Sequence, residues 1–203
     1  MPMTSSQIDT LREIVNIGFG RMAGVLNNML KAEIQLKVPI IKEITAARIA
    51  DYMTFSNDED LSSVKLDFSG KIAGKTLLLF PGIGAQKIVS ALTGEKVGTR
   101  DLLAMQGGAL AEVGSIVING IMTSLGGTLN GRMRYSLPSY SKRNLDDIIE
   151  TDFGTPSESL ILAQAFLWVE QLDIKVEVTL MFLISPLDVF YDSLNKYLKK
   201  VMV

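Results

Sequence analysis

Two pairs of polar residues in this 203-residue chain have the types and the spacing to perform chemistry. Glu13 is followed three positions later by Asn16, and Glu112 is followed three positions later by Ser115. Residues three apart on a helix lie on the same face, so each pair presents an acid beside a hydrogen-bonding group. An amide such as that of Asn16 can both accept a hydrogen bond from a water and donate one to it.

The absence of histidine and cysteine narrows the possible chemistry. It excludes thiol nucleophiles, disulfides, thiolate and imidazole metal ligands, and every Ser–His or Cys–His mechanism. Any reaction must therefore use carboxylates, amides, hydroxyls, lysines or backbone groups, and we expect no metal site. A formal net charge of −2 disfavours nucleic-acid binding, because a phosphate backbone attracts proteins with a basic excess.

The same composition predicts a cytoplasmic protein. Absent cysteine fits a reducing compartment, and the N-terminus lacks the basic and then apolar pattern of a signal peptide. No apolar run approaches the roughly 18 residues that span a bilayer, so we expect no membrane insertion. The single tryptophan, Trp168, is expected to be core or partly buried.

The two polar pairs belong to a longer repeat. Each is followed at the same distance by a proline, Pro39 in the first half and Pro138 in the second, 99 positions apart. Hydrophobic periodicity predicts the same order in both halves: helix, strand, short helix, two strands, helix. We therefore predict one domain of two pseudo-repeats, about 5–95 and 104–203. The hairpin-like strand pairs favour an α+β fold, in which duplicated α/β half-domains share a central, largely antiparallel sheet with helices packed on it.

The predicted elements have the following bounds. Helices are predicted over 7–30, 85–93, 110–125 and 188–200, with short helices over 46–53 and 144–151. Strands are predicted over 33–38, 64–68, 71–80, 132–137, 160–169 and 174–184. Ser5 and Ser6 are the candidate N-caps of the first helix.

Helical geometry places the first polar pair away from the predicted core. At about 100° per residue, Asp9, Glu13 and Asn16 fall within roughly 60° of one another. Gly20 and Gly24 lie on the same side, where each costs about 1 kcal/mol relative to alanine and packing gives no reason for them. We therefore predict that a docking protein approaches this surface. The opposite side carries the predicted buried stripe: Leu11, Val15, Gly18, Met22, Val25 and Met29.

The second helix repeats this layout with a serine in place of the amide. Its polar side carries Glu112, Ser115, Asn119 and Thr123. An isolated Glu-x-x-Asn is most simply a pair of surface residues on an amphipathic helix. Partial recurrence of the pair, joined each time to a proline at a fixed distance, favours a site instead.

The first copy resembles the motif of the CheC/CheX/FliY family of chemotaxis phosphatases. That motif is Asp or Ser, then Glu after three residues, Asn after two more and Pro after another twenty-two. Each position of the motif is matched, by Asp9, Glu13, Asn16 and Pro39. Segments 16–20, 72–80 and 111–114 also look like CheC, and the resemblance extends over essentially the whole chain.

The resemblance implies a phosphatase that hydrolyses the aspartyl phosphate of a CheY-like response regulator. Carried over by position, Asn16 orients the attacking water, and Glu13 pairs with the regulator's active-site lysine. Asp9, Gly20 and Gly24 take supporting or docking roles. The regulator is expected to supply Mg²⁺, so the chain needs no cofactor of its own, and CheD is a possible further partner.

The second copy departs from the motif. It keeps Glu112 and Pro138, but it carries Gly108 and Ser115 where the family has Asp or Ser and then Asn. We therefore predict that the second site is degenerate and that only the first is competent. Two alternatives remain: a non-catalytic module like FliM/FliN that binds a regulator or a flagellar protein, and an adaptor that mainly recruits CheD.

Overall fold

The computed structural model of the chain describes residues 2–55, 59–129 and 133–201. Its helices are α1 (Ser5–Leu30), α2 (Gly82–Thr93), α3 (Arg100–Leu129), α4 (Leu145–Asp152) and α5 (Leu187–Val201). Its strands are β1 (Ile34–Thr45), β2 (Leu61–Ser69), β3 (Ala73–Phe80), β4 (Arg134–Tyr135), β5 (Ser139–Arg143), β6 (Ser159–Val169) and β7 (Ile174–Ser185). Short 3₁₀ turns cover Ala46–Arg48, Ala50–Tyr52 and Glu170–Leu172.

The strands form one antiparallel sheet in the order β1–β6–β7–β3–β2, with β4 and β5 on successive parts of the outer edge of β2. From either edge, the order is an edge strand of one half followed by the two-stranded hairpin of the other half. β1 of the first half pairs with β6 of the second, and β5 of the second half pairs with β2 of the first. Each half thus supplies an edge strand that pairs with the hairpin of the other half. The fold is α+β, as predicted.

The sheet is buried on both faces. One face packs against α1, α2, α3 and α5, and the other packs against α4 and the segment of 3₁₀ turns after β1. Double burial explains why β6 is an almost continuous apolar run instead of an alternating one. The cover on the second face stops short of the β6–β7 tip, where Trp168 is 44% exposed.

Helices α1 and α3 cross at a point where glycine is required. A Cβ at Gly18 would lie 2.7 Å from the Cα of Ile121, so any side chain there would force the two backbones apart. On the facing helix, a Cβ at Gly120 would collide with the Met22 side chain. The prediction that Gly18 is a core contact is confirmed.

Two predictions about α1 are wrong. Its N-cap is Thr4, not Ser5 or Ser6, because Thr4 and Gln7 form a reciprocal capping box. Gln7 N donates to Thr4 Oγ1 at 3.3 Å, and Thr4 N donates to Gln7 Oε1 at 2.8 Å. Val25, expected to be buried, is 45% exposed. The buried stripe includes residues that the predicted one omitted: Ile14, Phe19, Leu26 and Leu30.

Other element bounds also differ from the prediction. The first strand was predicted over 33–38, but β1 extends to Thr45, so that Pro39 lies inside the strand and not after it. The segment 46–53 forms 3₁₀ turns instead of one short helix, and α3 begins ten residues earlier than expected, at Arg100. The strand predicted over 132–137 is instead β4 and β5, which are separated at 136–138. Pro138 has no N–H to donate, which is consistent with a break in the ladder there. Residue 132 lies outside the described residues.

One described helix, α3, is long and apolar enough to cross a membrane by length and composition alone, with a mean hydropathy of 1.4 over its most apolar window. The sequence predicted no apolar run of membrane-spanning length, so this property of α3 was not expected. However, 56% of that window is buried inside the protein. Packing of α3 against α1 and the sheet gives its apolar residues a place in the core.

Candidate functional site

Helix α1 lies alongside the open edge of β1 and supplies hydrogen-bond acceptors to it. Ile34 N donates to Asn27 Oδ1 at 2.8 Å, and Val38 N donates to Asn16 Oδ1 at 3.3 Å. Eleven helical residues rise about 16 Å and four strand residues about 13 Å, so the two asparagines match the spacing of the two N–H groups. An edge strand exposes unpaired N–H groups, and these side chains cover two of them.

The motif proline lies at an irregularity in β1. The pairing of β1 with β6 shifts register between Lys37 and Ile40, so Val38 and Pro39 lie in a β-bulge. A bulge leaves one residue outside the regular ladder, and proline is tolerated there because it has no N–H to donate. At this bulge the Val38 N–H bonds to Asn16. The geometry gives a physical reason for a fixed distance between asparagine and proline.

The predicted polar face of α1 is present and open. Glu13 is exposed, and Asn16 is half-buried at the sheet edge. Asp9 is exposed and accepts a hydrogen bond from Arg12 Nη1 at 2.8 Å. Gly20 and Gly24 are exposed, and a Cβ added at either would meet no described atom within 4 Å. The face that follows Asn16 is therefore bare, as the sequence predicted.

Asn16 also opens onto a groove of about 600 Å³ at the sheet edge. The sequence did not predict this groove. Trp168 was expected to be core or partly buried, whereas its side chain is exposed. Sequence position alone did not show that the end of β6 lies next to β1. The other residues that line the groove are Gln35, Lys37, Val38, Phe166, Trp168 and Lys175.

The corresponding face of α3 is occupied by side chains. Glu112 is exposed, but the Ser115 hydroxyl accepts a hydrogen bond from Asn119 Nδ2 at 3.2 Å. Thr123 Oγ1 in turn donates to the backbone oxygen of Asn119 at 2.7 Å. Ser115 is thus engaged along its own helix, and no hydrogen bond joins it to β4 or β5 among the described residues.

The edge next to α3 is also built differently. Leu137, which lies 99 positions after Val38, is 89% exposed, whereas Val38 is 2% exposed. Tyr135 donates its hydroxyl to the backbone oxygen of Met122 at 3.3 Å, and burial raises the pKa of this phenol. The second edge is therefore fastened to α3 through Tyr135 and not through the residue of the motif.

The described ranges contain no cluster of three or more acidic side chains that could hold a metal ion. The exposed acids of the first face are Asp9 and Glu13, and Asp9 is paired with Arg12. The site is therefore a carboxylate and an amide on a bare helical surface. Such a site can position a water and pair with a cation carried by a partner.

Comparison with known proteins shows what the chain is similar to. No protein-family model matches the chain. The chain is 27% identical over 138 residues to the CheY-P phosphatase CheC of Bacillus subtilis (strain 168), a match that covers 66% of this chain and 66% of that relative. The matched region thus spans just under two thirds of the length of CheC.

Three solved structures share the fold. The X-ray structure of Thermotoga maritima FliY has a TM-score of 0.78 at 19% identity and covers 98% of this chain and 99% of its own. The FliM middle domain from H. pylori has a TM-score of 0.67 at 9% identity, with 96% and 99% covered. A chain of the CheX–CheY–BeF3–Mg²⁺ complex from Borrelia burgdorferi has a TM-score of 0.53 at 16% identity, with 85% and 98% covered. Together with the match to CheC, these likenesses confirm the resemblance to the CheC/CheX/FliY family that the sequence predicted.

Proposed function

We propose that this protein hydrolyses the aspartyl phosphate of a CheY-like response regulator in the cytoplasm, at one site formed by Glu13 and Asn16. The observation that carries the proposal is the position of Asn16. Its amide lies at an open sheet edge, is held by the Val38 N–H and lines a groove that is open to solvent. The similarity to CheC, a CheY-P phosphatase, and to a chain of a complex that contains CheY supports this class of partner.

Asn16 would position the attacking water. In the reaction, the water oxygen bonds to phosphorus while the bond between phosphorus and the aspartyl oxygen breaks, which leaves a free carboxylate and inorganic phosphate that keeps both protons of the water. After the bond from Val38 N–H, Asn16 Oδ1 keeps one lone pair that can accept a hydrogen bond from the water, and Nδ2 keeps both of its N–H donors. The amide carries no charge, so it does not repel the anionic phosphoryl group. Because Val38 restricts the amide, less orientational freedom is lost on binding.

Glu13 would bind the regulator. It lies one helical turn before Asn16 and is exposed, so its carboxylate is available to a cation on the docked partner. We assign that cation to the regulator's active-site lysine. The regulator would bring its own Mg²⁺ as well, and that ion neutralises charge on the phosphoryl group. The phosphatase then needs no cofactor of its own.

The bare face formed by Gly20 and Gly24 would let the regulator's surface approach the helix backbone closely. Positions without side chains remove the steric barrier next to Asn16. Asp9 would support docking from the preceding turn. On α3 the serine is shorter than asparagine and already bonded to Asn119, so we assign no activity to the second site.

The decisive experiment compares two asparagines of α1 that make the same kind of contact. Asn16→Ala and Asn27→Ala each remove the acceptor of one β1 edge N–H, so each is expected to lose about 1 kcal/mol of unfolding free energy. Only Asn16→Ala is expected to slow the decay of a phosphorylated CheY-type regulator, by roughly 100-fold. If the two variants dephosphorylate the regulator equally fast, Asn16 has only a structural role.

Ser115→Ala tests the single-site proposal in the same assay. It is expected to leave the rate within about twofold of wild type, because the serine touches no docked substrate in this scheme. A loss as large as that of Asn16→Ala would show that both halves are active.

A non-catalytic module is the second candidate, and the likeness to the FliM middle domain supports it at the level of fold. Such a module would bind the regulator or a flagellar protein without accelerating phosphate decay. An adaptor for CheD would instead form a stable complex with purified CheD while its effect on phosphate decay stays small. The decay assay with wild-type protein separates both alternatives from the phosphatase.

A further inference from the structure

The groove beside Asn16 contains an aromatic platform that the proposed reaction does not use. Trp168 is 44% exposed at its floor, and Phe166 is half-buried next to it on β6. The ammonium of Lys175 lies 5.5 Å from the centre of the Phe166 ring. Large aromatic side chains left open on a surface are the residues that most often dominate binding energy at protein interfaces.

The lining of this groove is cationic as well as apolar. It carries Lys37 and Lys175, and no carboxylate is among the residues that form it. Glu177, which lies on the same face of β7 as Lys175, accepts hydrogen bonds from Thr54 Oγ1 at 3.0 Å and from Gln164 Nε2 at 3.1 Å. The two exposed ammonium groups are therefore available to an anionic partner.

The groove is continuous with the proposed site and opposite to it in charge. Asn16 forms one end of its lining, while the exposed acids Asp9 and Glu13 lie on α1. A partner that docks over the β1 edge would meet the carboxylate of Glu13 on the helix, where Asp9 is paired with Arg12, and a cationic surface in the groove. This division of charge fixes one orientation for a partner that itself carries both signs.

We propose that the groove receives an acidic segment of the phosphorylated regulator that also carries a large apolar side chain. The apolar side chain packs on Trp168 and Phe166, and its acidic neighbours lie against Lys37 and Lys175. A volume of about 600 Å³ accommodates a few side chains and not a folded domain. This inference rests on the proposed function, because it names the surface that holds the same partner.

The tryptophan supplies a direct test, because it is the only one in the chain. The probe is a tryptophan-free CheY-type regulator loaded with beryllofluoride and Mg²⁺. When this regulator binds, Trp168 emission is expected to shift to shorter wavelength, and acrylamide quenching is expected to fall about twofold or more, because the indole leaves water. An unchanged emission and quenching in a complex that demonstrably forms would overturn the proposal.

A charge-reversal variant tests the lysines. Lys37→Glu/Lys175→Glu is expected to raise the Kd for the same probe, and the KM for phosphorylated regulator, by roughly tenfold or more, with the maximal rate nearly unchanged. The matched control, Lys196→Glu/Lys200→Glu, makes the same change in net charge at exposed positions of α5 that do not line the groove. Equal effects of the two double variants would show only a loss of general attraction and would overturn the proposal.

The outcomes separate the two proposals. If wild-type protein accelerates phosphate decay but Trp168 and the lysines are insensitive to the regulator, the phosphatase stands and the groove is not its docking surface. If the regulator binds the groove and wild-type protein leaves its phosphate decay unaltered, the groove stands and the proposed activity fails. Capture of CheD or another protein in the groove, with the regulator excluded from it, would also overturn the inference.

Discussion

The helices α1 and α3 have related polar faces, but only α1 leaves its face open. Gly20 and Gly24 follow Asn16 with no described atom near a Cβ at either position. The residues 99 positions later are Asn119 and Thr123, which form hydrogen bonds along α3. The second half therefore differs from the first by more than the missing amide. In the proposed mechanism the face of α1 admits a partner, and side chains occupy the corresponding face of α3.

The strand edges beside the two helices differ in the same sense. On β1, the bulge presents the N–H of Val38 to Asn16, and the Val38 side chain is buried. Near α3, the chain leaves the ladder between β4 and β5, and Leu137 extends into solvent. Among the described residues Ser115 bonds only along its own helix, whereas Asn16 is bonded to the strand through Val38. The comparison indicates that the first site depends on a helix and a strand together.

The largest effect is expected when the open face of α1 receives the residues that occupy the corresponding face of α3. Gly20→Asn/Gly24→Thr should reduce phosphatase activity by about 100-fold, because small misplacements of a docked reactant are costly. Asparagine and threonine both have a higher helix propensity than glycine. Each substitution should therefore raise the free energy of unfolding, measured by urea titration, by about 0.3 kcal/mol. A variant that is more stable and much less active would show that the bare surface serves docking.

Gly108→Asn is the matched control for that variant. Gly108 is also an exposed helical glycine with no described atom within 4 Å of an added Cβ, but it lies on α3. Gly108→Asn should raise the free energy of unfolding by a similar amount per substitution and leave the phosphatase activity unchanged. If Gly20→Asn/Gly24→Thr remains as active as Gly108→Asn, the open face of α1 has no part in docking.

Features that depend on local periodicity could be predicted from the sequence alone. The polar side of α1, with Glu13 exposed and two bare glycines, follows from 3.6 residues per turn. The antiparallel hairpins β2–β3 and β6–β7 follow from alternating or continuous apolar runs joined by short turns. The capping of α1 by Thr4 was missed, although the Thr-x-x-Gln pattern that forms the capping box is visible in the sequence.

Features that depend on distant pairing could not be predicted in this way. The bond from Val38 to Asn16 requires β1 to bulge while it pairs with β6, more than 120 residues away. The groove likewise exists because β1 crosses to the second half and lies beside Trp168. Periodicity identifies which side of an element is buried, but it does not identify the neighbouring strand.

A smaller effect is expected when the second half is converted toward the first. In an Asn16→Ala background, Ser115→Asn/Asn119→Gly/Thr123→Gly should raise the rate several-fold and leave it well below wild type. The new amide gains an open face, but the chain beside it leaves the ladder between β4 and β5, and Leu137 extends into solvent whereas Val38 is buried. The rate of regulator dephosphorylation measures the gain, and Ser115→Asn alone in the same background should give none. Full recovery with Ser115→Asn alone would show that the missing amide is the whole difference.

The smallest effect concerns Asp9, whose counterpart in the second half is Gly108. Asp9→Asn removes an exposed ion pair with Arg12, and exposed pairs of this kind contribute about 0–1 kcal/mol. Asp51→Asn removes a similar exposed pair with Arg48, also three residues apart, outside the proposed site. The two variants should lose the same small stability, whereas only Asp9→Asn should raise the KM for phosphorylated regulator, by about twofold to threefold. An equal KM in both would remove Asp9 from the docking surface and would make its replacement by glycine in the second half irrelevant to the loss of that site.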